Sequence, residues 1–425
     1  MAPHVCIFED NQFSQFLPLV YFRPVYDLRC GISSLKEKIL RAYPRTSVSL
    51  QCRESLALSV RVRESQCSIN EIPATECLFI NGRVLADETI SNKVLLTAKK
   101  NVLYVSNGQF IAAYVSGNYL ERIKKKLNSP LSISDFEDLP KIEIDVETVS
   151  YPWDLIQKNG TQIEKDFEFI AKKAGKRKTR IEGKVYPGVH MMGKKNIIIE
   201  KGAVIKSGSV FDAEEGPIYI GKNVNVFPQS TIIGPVCILD GSTIKVGAQI
   251  YENTSIGPVC KIGGEVEGSI IHGYSNKQHA GFLGHSYLGS WVNLGASTNT
   301  SDLKNNYGKV KVQIGTEQID TDLTLVGLTM GDYSKSAIGT TFNTGTVVGV
   351  CCNVFGTGFP PKYIPSFTWC GTQKPYQAYD IEKAITVARL VMSRRKIELS
   401  DAESDLLREV YRGTVEERRR NGIQE

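Results

Sequence analysis

The chain has 425 residues, with 51 Lys and Arg against 45 Asp and Glu, a net charge of +6. That mild excess favours phosphorylated small molecules and is too weak for a nucleic-acid binder. No apolar run approaches the roughly 20 residues of a bilayer span, and the start MAPHVCIFED lacks the basic-then-apolar layout of a signal peptide. The ten cysteines, Cys6 to Cys370, include no Cys-x-x-Cys pair. They read as reduced thiols, so the expected compartment is the cytoplasm.

Residues 1–172 come first. Apolar runs at 5–8, 77–80 and 102–105 alternate with helix-like stretches such as Ser34–Ala42. The alternation predicts an α/β domain. A basic segment at 172–180, with Gly175 and few apolar residues, reads as a linker.

Residues 181–370 follow a different rule. Ile or Val recurs at Ile220, Val226, Ile232, Ile238, Ile244, Ile250, Ile256 and Ile262. A period of six fits neither an ordinary helix nor an ordinary strand, and it predicts a left-handed parallel β-helix of hexapeptide repeats. Four residues after each apolar position comes a small or β-branched one, from Val224 and Ser230 to Cys260 and Val266. Alternating large and small side chains fill a narrow triangular core, and three hexapeptides make one coil. The repeat breaks at 268–281, resumes at Phe282, Leu288 and Leu294, breaks again at 300–311, and returns at Met330, Ser336, Phe342, Val348 and Val354. Breaks in a solenoid are where function is expected.

Residues 375–425 read as helical, starting at Pro375. Ile381, Ile385, Ala388 and Met392 share one helical face. Ser400 and Glu403 predict a capping box for a second helix carrying Leu406, Leu407 and Val410. Arg394-Arg395-Lys396 and Arg418-Arg419-Arg420 end the helices, as solvated cations at a helix C-terminus or as partners of cofactor phosphates.

His272, His279 and His285 fall within or beside the first break. A neutral imidazole suits the base that acyl transfer to an amine requires, and backbone N–H groups suit the oxyanion. A zinc site of the γ-carbonic anhydrase type is an alternative, though the spacings of seven and six differ from that family's pattern.

The stretch SNKQHAGFLGHSYLGSWVNLGASTNTSDLKNNYG (275–308) resembles the acetyltransferase domain of the GlmU family. The family pattern is a His shortly before Tyr-Leu-Gly, then Val-Asn-Ile-Gly-Ala-Gly-Thr, then Asn-Tyr-Asp-Gly. Aligning Leu283-Gly284 and Val292–Ala296 puts His279 on the family's catalytic base. The resemblance further implies Asn293, Ser297, Asn306, Tyr307, Lys309 and Lys311 at the substrate and acetyl-CoA sites. Ser297 replaces the family's glycine, and Asn299–Asn305 holds extra residues.

The N-terminal residues resemble the nucleotidyltransferase-like, Rossmann-like domain of a divergent GlmU-like branch. The resemblance rests on Phe8-Glu9-Asp10, Leu17-Pro18-Leu19, Arg23 to Gly31, Phe79 to Arg83 and Tyr151 to Leu155. It implies nucleotide or phosphate contacts from Arg23, Asp27, Arg29, Asn81, Gly82 and Arg83, with Asp154 as a Mg²⁺ ligand. The usual Gly-rich phosphate loop is missing, and Arg83 stands where the family has a metal-binding Asp. The resemblance implies a homotrimer that acetylates an amino-sugar 1-phosphate from acetyl-CoA, with Mg²⁺-dependent nucleotidyl transfer from UTP or dTTP in the head. Alternatives are a degenerate head on a single-activity acyltransferase, or a non-catalytic sugar-nucleotide-binding scaffold.

Overall fold

The structure, a computed structural model, describes residues 4–98, 100–174, 180–371 and 376–424. Residues 175–179 of the expected linker and Pro375 lie outside them.

The head runs β1 (His4–Phe8), α1 (Leu35–Ala42), β2 (Ser47–Leu50), α2 (Glu54–Arg63), β3 (Ser68–Ile69), β4 (Glu76–Asn81), α3 (Ile90–Lys93), β5 (Val102–Ser106), β6 (Gln109–Ser116), α4 (Gly117–Lys124), β7 (Lys141–Glu143) and α5 (Pro152–Ala174). Its seven-stranded sheet has the order β3-β2-β1-β4-β6-β5-β7. β1 pairs parallel with β2 and β4, and β6 runs antiparallel to β4 and β5. Both faces are covered, which explains the unbroken apolar runs. Val5 and Ile7 join the core under α1 and α2, and Cys6 and Phe8 join Phe79 and Phe136 on the other face.

The period of six becomes a prism. Ile220, Ile238, Ile256, Ile271, Leu288, Met330, Val348 and Ile364 stack in register as one inward column. Ile205, Val226, Ile244 and Ile262 form the second column. Phe211, Ile232, Ile250, Val266 and Leu283 form the third. All lie within the buried core, each side chain contributing about 1.5–3 kcal/mol by leaving water. The small residues Val224, Ser230, Ser242, Ala248 and Cys260 are fully buried between them.

Two breaks differ from expectation. Residues 268–281 do not leave the prism: Ile270–Gly273 and Asn276–Lys277 are strands of a shortened coil. Shortening shifts the register, so that Leu283 rather than Phe282 pairs with Val266 and points inward. The second break is longer than the 300–311 read from sequence. The chain leaves after Asn299–Thr300 and rejoins at Thr329–Met330. Between them, Lys311–Ile314 and Glu317–Asp320 make an antiparallel hairpin. Trp153, at the start of α5, packs against the hairpin residues Val310 and Val312.

One corner of the prism carries left-handed backbone in successive coils. Val259, Tyr274, Trp291, Tyr333, Cys351 and Phe367 have φ between 54° and 63°. Each donates its N–H to a carbonyl one coil back, such as Tyr333 to Ser290 and Trp291 to Gly273. Tyr274 and Trp291 stack with centroids 4.4 Å apart, and Trp291 and Tyr333 lie nearly parallel at 6.4 Å.

The C-terminal helices, α6 (Ile381–Ser393), α7 (Asp401–Gly413) and α8 (Val415–Arg420), fold back onto the head and this corner. The Ser400–Glu403 capping box is present. Ala384, Ile385, Ala388, Met392, Leu406 and Leu407 share a core with Leu56 and Val60 of α2.

Candidate functional site

His279 sits at the corner between the strands Asn276–Lys277 and Phe282–Gly284. Its ring is exposed, with no hydrogen-bond partner among the described residues. The backbone beneath it is held firmly. Lys277 occupies an inward place in the second column, in register with Ile262. An ammonium in an apolar core needs acceptors. Lys277 finds them by turning back, giving its Nζ to the carbonyls of Gly263 (2.9 Å), His279 (3.2 Å) and Gly281. Burial pulls its pKa down to about 8, against the opposing pull of Glu265. Ser297, also at positive φ, donates its N–H to the Ala280 carbonyl at 2.9 Å. Of the residues implied by resemblance, the structure brings His279 and Ser297 to one corner.

Asn293 lies on the adjoining face, beside Asn276 and Lys335. Asn276 Nδ2 is 3.4 Å from Asn293 Oδ1, and its own Oδ1 accepts from Arg395 Nη2 at 3.0 Å. Burial and the fields of Arg395, Lys245 and Arg394 lower the pKa of Lys261 on the same face. The cations that end α6 therefore gather on the face leading to His279. The Arg394-Arg395 run signalled this in sequence, but Lys245 and Lys261 join it only through coil stacking.

Asn306 and Tyr307 project from the loop before the hairpin, Tyr307 being 72% exposed. Lys309 pairs with Asp322 at the surface, and Lys311 is exposed on the first hairpin strand. The other two histidines do not converge on His279. His285 Nδ1 contacts Asp302 Oδ2 at 2.8 Å, one corner further on. His272 faces the head, 3.0 Å from the Asp27 carbonyl. No group of three His, Cys, Asp or Glu among the described residues is placed to hold a metal.

The head residues divide into two groups. Arg23, Asp27 and Arg29 line a cleft against the β-helix. Arg23 is 4% exposed and donates to both oxygens of Asp332 and, at 3.1 Å, to Ser290. Asp27 takes Lys36 Nζ at 2.9 Å. Asn81, Gly82 and Arg83 lie elsewhere and are sealed. Arg83 is 1% exposed, its Nε and Nη2 on Asp10 at 2.7–3.0 Å and its Nη1 on the Val149 carbonyl at 2.7 Å. Asn81 Nδ2 donates to Asp10 and to the Phe110 carbonyl, both at 2.8 Å. A Cβ on Gly82 would lie 2.8 Å from Tyr26 Cβ, so that glycine serves close packing. With its side chain committed inward, Arg83 has no path to the phosphate implied for it. Asp154 accepts the N–H groups of Ser150 (2.8 Å) and Tyr151 (3.0 Å) and holds the turn into α5. These residues do not fit a Mg²⁺ centre, whose ligands are several converging oxygens.

Comparison with known proteins adds to this geometry. Residues 5–175 match the family model for sugar nucleotidyl transferases. The bifunctional protein GlmU of Methanocaldococcus jannaschii is 30% identical over 204 residues, 48% of this chain and 42% of that protein. The bifunctional protein GlmU of Streptococcus agalactiae is 30% identical over 165 residues, 38% of this chain and 34% of the relative. The chain thus aligns with less than half the length of these curated relatives. Among solved structures, the UDP-N-acetylglucosamine acyltransferase of Francisella novicida is 13% identical, with a TM-score of 0.22, covering 54% of this chain and 77% of that one. A likeness that loose adds nothing to the β-helix already described.

Proposed function

We propose that this relative of the GlmU proteins, with a head matching the sugar nucleotidyl transferases, is a transferase of sugar-nucleotide synthesis that acetylates an amino-sugar 1-phosphate from acetyl-CoA. The observation that carries the reading is the exposed His279 at a braced corner, next to a face lined by Lys245, Lys261, Arg394 and Arg395. Cations there suit the phosphates of CoA, and Asn293 and Asn276 supply amide contacts. Neutral His279 takes the amine proton as the nitrogen bonds to the thioester carbonyl carbon. Collapse of the tetrahedral adduct breaks the carbon–sulfur bond, and the thiolate leaves and is protonated to CoA. The hairpin, braced by Trp153, carries Lys309 and Lys311 toward the sugar phosphate.

A homotrimer fits the same edge. Val246 and Ile338, 60% and 77% exposed, lie on the same corner as His279, two coils before it and two coils after it. Apolar side chains on one edge suit burial against a second copy, and light scattering on the purified chain tests it.

A second reading gives the base role to His285. Its contact with Asp302 is the orienting bond that His279 lacks, and it leaves Nε2 free to accept a proton. Thiol release from acetyl-CoA against a panel of amino-sugar phosphates separates the two. Loss in His279→Ala with retention in His285→Ala supports the first, the reverse supports the second, and no release with any acceptor removes both. In the head, the sealed Asp10–Arg83 pair supports the degenerate reading over nucleotidyl transfer. Pyrophosphate release from UTP or dTTP with a sugar 1-phosphate would overturn that choice.

A further inference from the structure

A cavity of about 440 Å³ lies where the head, the β-helix and the C-terminal helices meet. Acetyl transfer at the His279 corner makes no use of it. The carboxylates on its wall are committed. Asp332 takes both arms of Arg23, Asp27 and Glu64 share Lys36, and Glu37 and Glu403 accept N–H groups in capping boxes. Two guanidiniums on the same wall have no carboxylate among the described residues. Arg29 gives Nη1 to the Ile32 carbonyl, while its Nε is buried with no acceptor. Arg63, an exposed residue of the cavity wall, reaches the carbonyls of Ser59 (3.3 Å) and Phe22 (3.1 Å). Neither guanidinium is paired with a carboxylate, so this wall carries positive charge that an anionic ligand can meet.

His272 lies on the same wall. Arg23 Nη2 donates to Ser290 Oγ at 3.1 Å, and that hydroxyl lies 3.2 Å from His272 Nδ1. With Nε2 donating to the Asp27 carbonyl, Nδ1 is the acceptor and the ring is neutral. Burial, with the fields of Arg23, Arg29 and Arg63, holds its pKa well below the usual value. Arg23, Arg29 and Arg63 thus line the same cavity as His272.

We propose that this cavity binds a small phosphate monoester, with Arg29 and Arg63 as its anion clamp. Guanidinium forks match phosphate oxygens in geometry and charge. The volume falls within the range of about 300–1,000 Å³ usual for small-molecule sites. Because three parts of the chain share the wall, the ligand stabilises their docking as well as occupying space.

Titration calorimetry of the full chain with glucose 6-phosphate, with inorganic phosphate as competitor, tests the proposal. Saturable binding is expected, displaced by phosphate and weakened at least about tenfold in Arg29→Met and in Arg63→Glu. His279→Ala should bind as the wild type does. Arg63→Glu changes an exposed side chain and decides the matter if Arg29→Met does not fold. Absence of binding, wild-type affinity in Arg63→Glu, or loss of binding in His279→Ala would overturn it, the last by moving the ligand to the acetyl-transfer corner.

Discussion

The head and the β-helix both bury polar side chains, but they satisfy them differently. In the head, buried carboxylates meet side-chain cations. Asp166 takes Lys38 at 2.7 Å and also Arg41, Asp10 takes Arg83, and Glu9 takes Arg53 at 2.6 Å. In the β-helix, buried side chains meet backbone. Ser242 gives its hydroxyl to the Gly257 carbonyl, Ser334 to Gly349, and Lys277 its ammonium to three carbonyls. The difference bears on function. A head that pairs its charges with each other leaves nothing at the end of β4 for a triphosphate. A prism that satisfies its interior with backbone keeps its outward rows free for ligands.

Experiments can break or sharpen this contrast. The largest expected effect is on chemistry: His279→Ala should lower thiol release by about 10²–10⁴-fold, with little change in thermal stability, since an exposed ring is removed. Retained activity would show that the open corner is not where the work is done. Next comes the head's internal pairing. Asp166→Ala leaves the fully buried Lys38 without its carboxylate and should cost about 3–5 kcal/mol in urea unfolding. A loss under about 1 kcal/mol would mean the head's ion pairs hold less than their burial implies.

Lys277→Met tests the prism's way of satisfying an inward cation. Met fits an inward place, so unfolding free energy should move by less than about 2 kcal/mol. The His279 turn loses its clamp, and kcat should fall by about tenfold. Equal and small effects on both would make Lys277 a packing residue only.

A pH effect of smaller size follows from His272. Its folded pKa is lowered, so below the ordinary value of 6.5 the unfolded chain takes the proton first. Stability should therefore fall as pH drops below 6.5, by up to about 1.4 kcal/mol per pH unit, and His272→Gln should lack that component. The smallest effect belongs to the exposed Lys309–Asp322 pair. Lys309→Ala should change stability by less than about 1 kcal/mol, whereas a raised KM for the amino-sugar phosphate would place the hairpin at the substrate.

Much of the prism was legible because its rule is local. Each of Ile220 to Ile262 repeats the same demand for an inward side chain, and the sequence carries it without reference to anything distant. What stayed hidden depends on partners far along the chain. Arg83 reads as a phosphate ligand until Asp10, 73 residues away, closes on it. Phe282 reads as inward until the shortened coil at 268–281 moves the register by one. Lys277 falls within the break at 268–281, and only the stacking on Ile262 reveals it as part of a column. The three clustered histidines are neighbours in sequence, yet the coil turns between them and sends them to three environments.

The corner where Tyr274, Trp291 and Tyr333 stack has a practical meaning for anyone who would alter this molecule. Seventeen positions separate the first two rungs and forty-two the second pair, yet each step is a single coil in space. The ladder does not register the hairpin that lies within the longer step. That makes the hairpin tip at 315–317, beyond the Trp153 contact, the place where loop length can change while the stack continues in phase above and below.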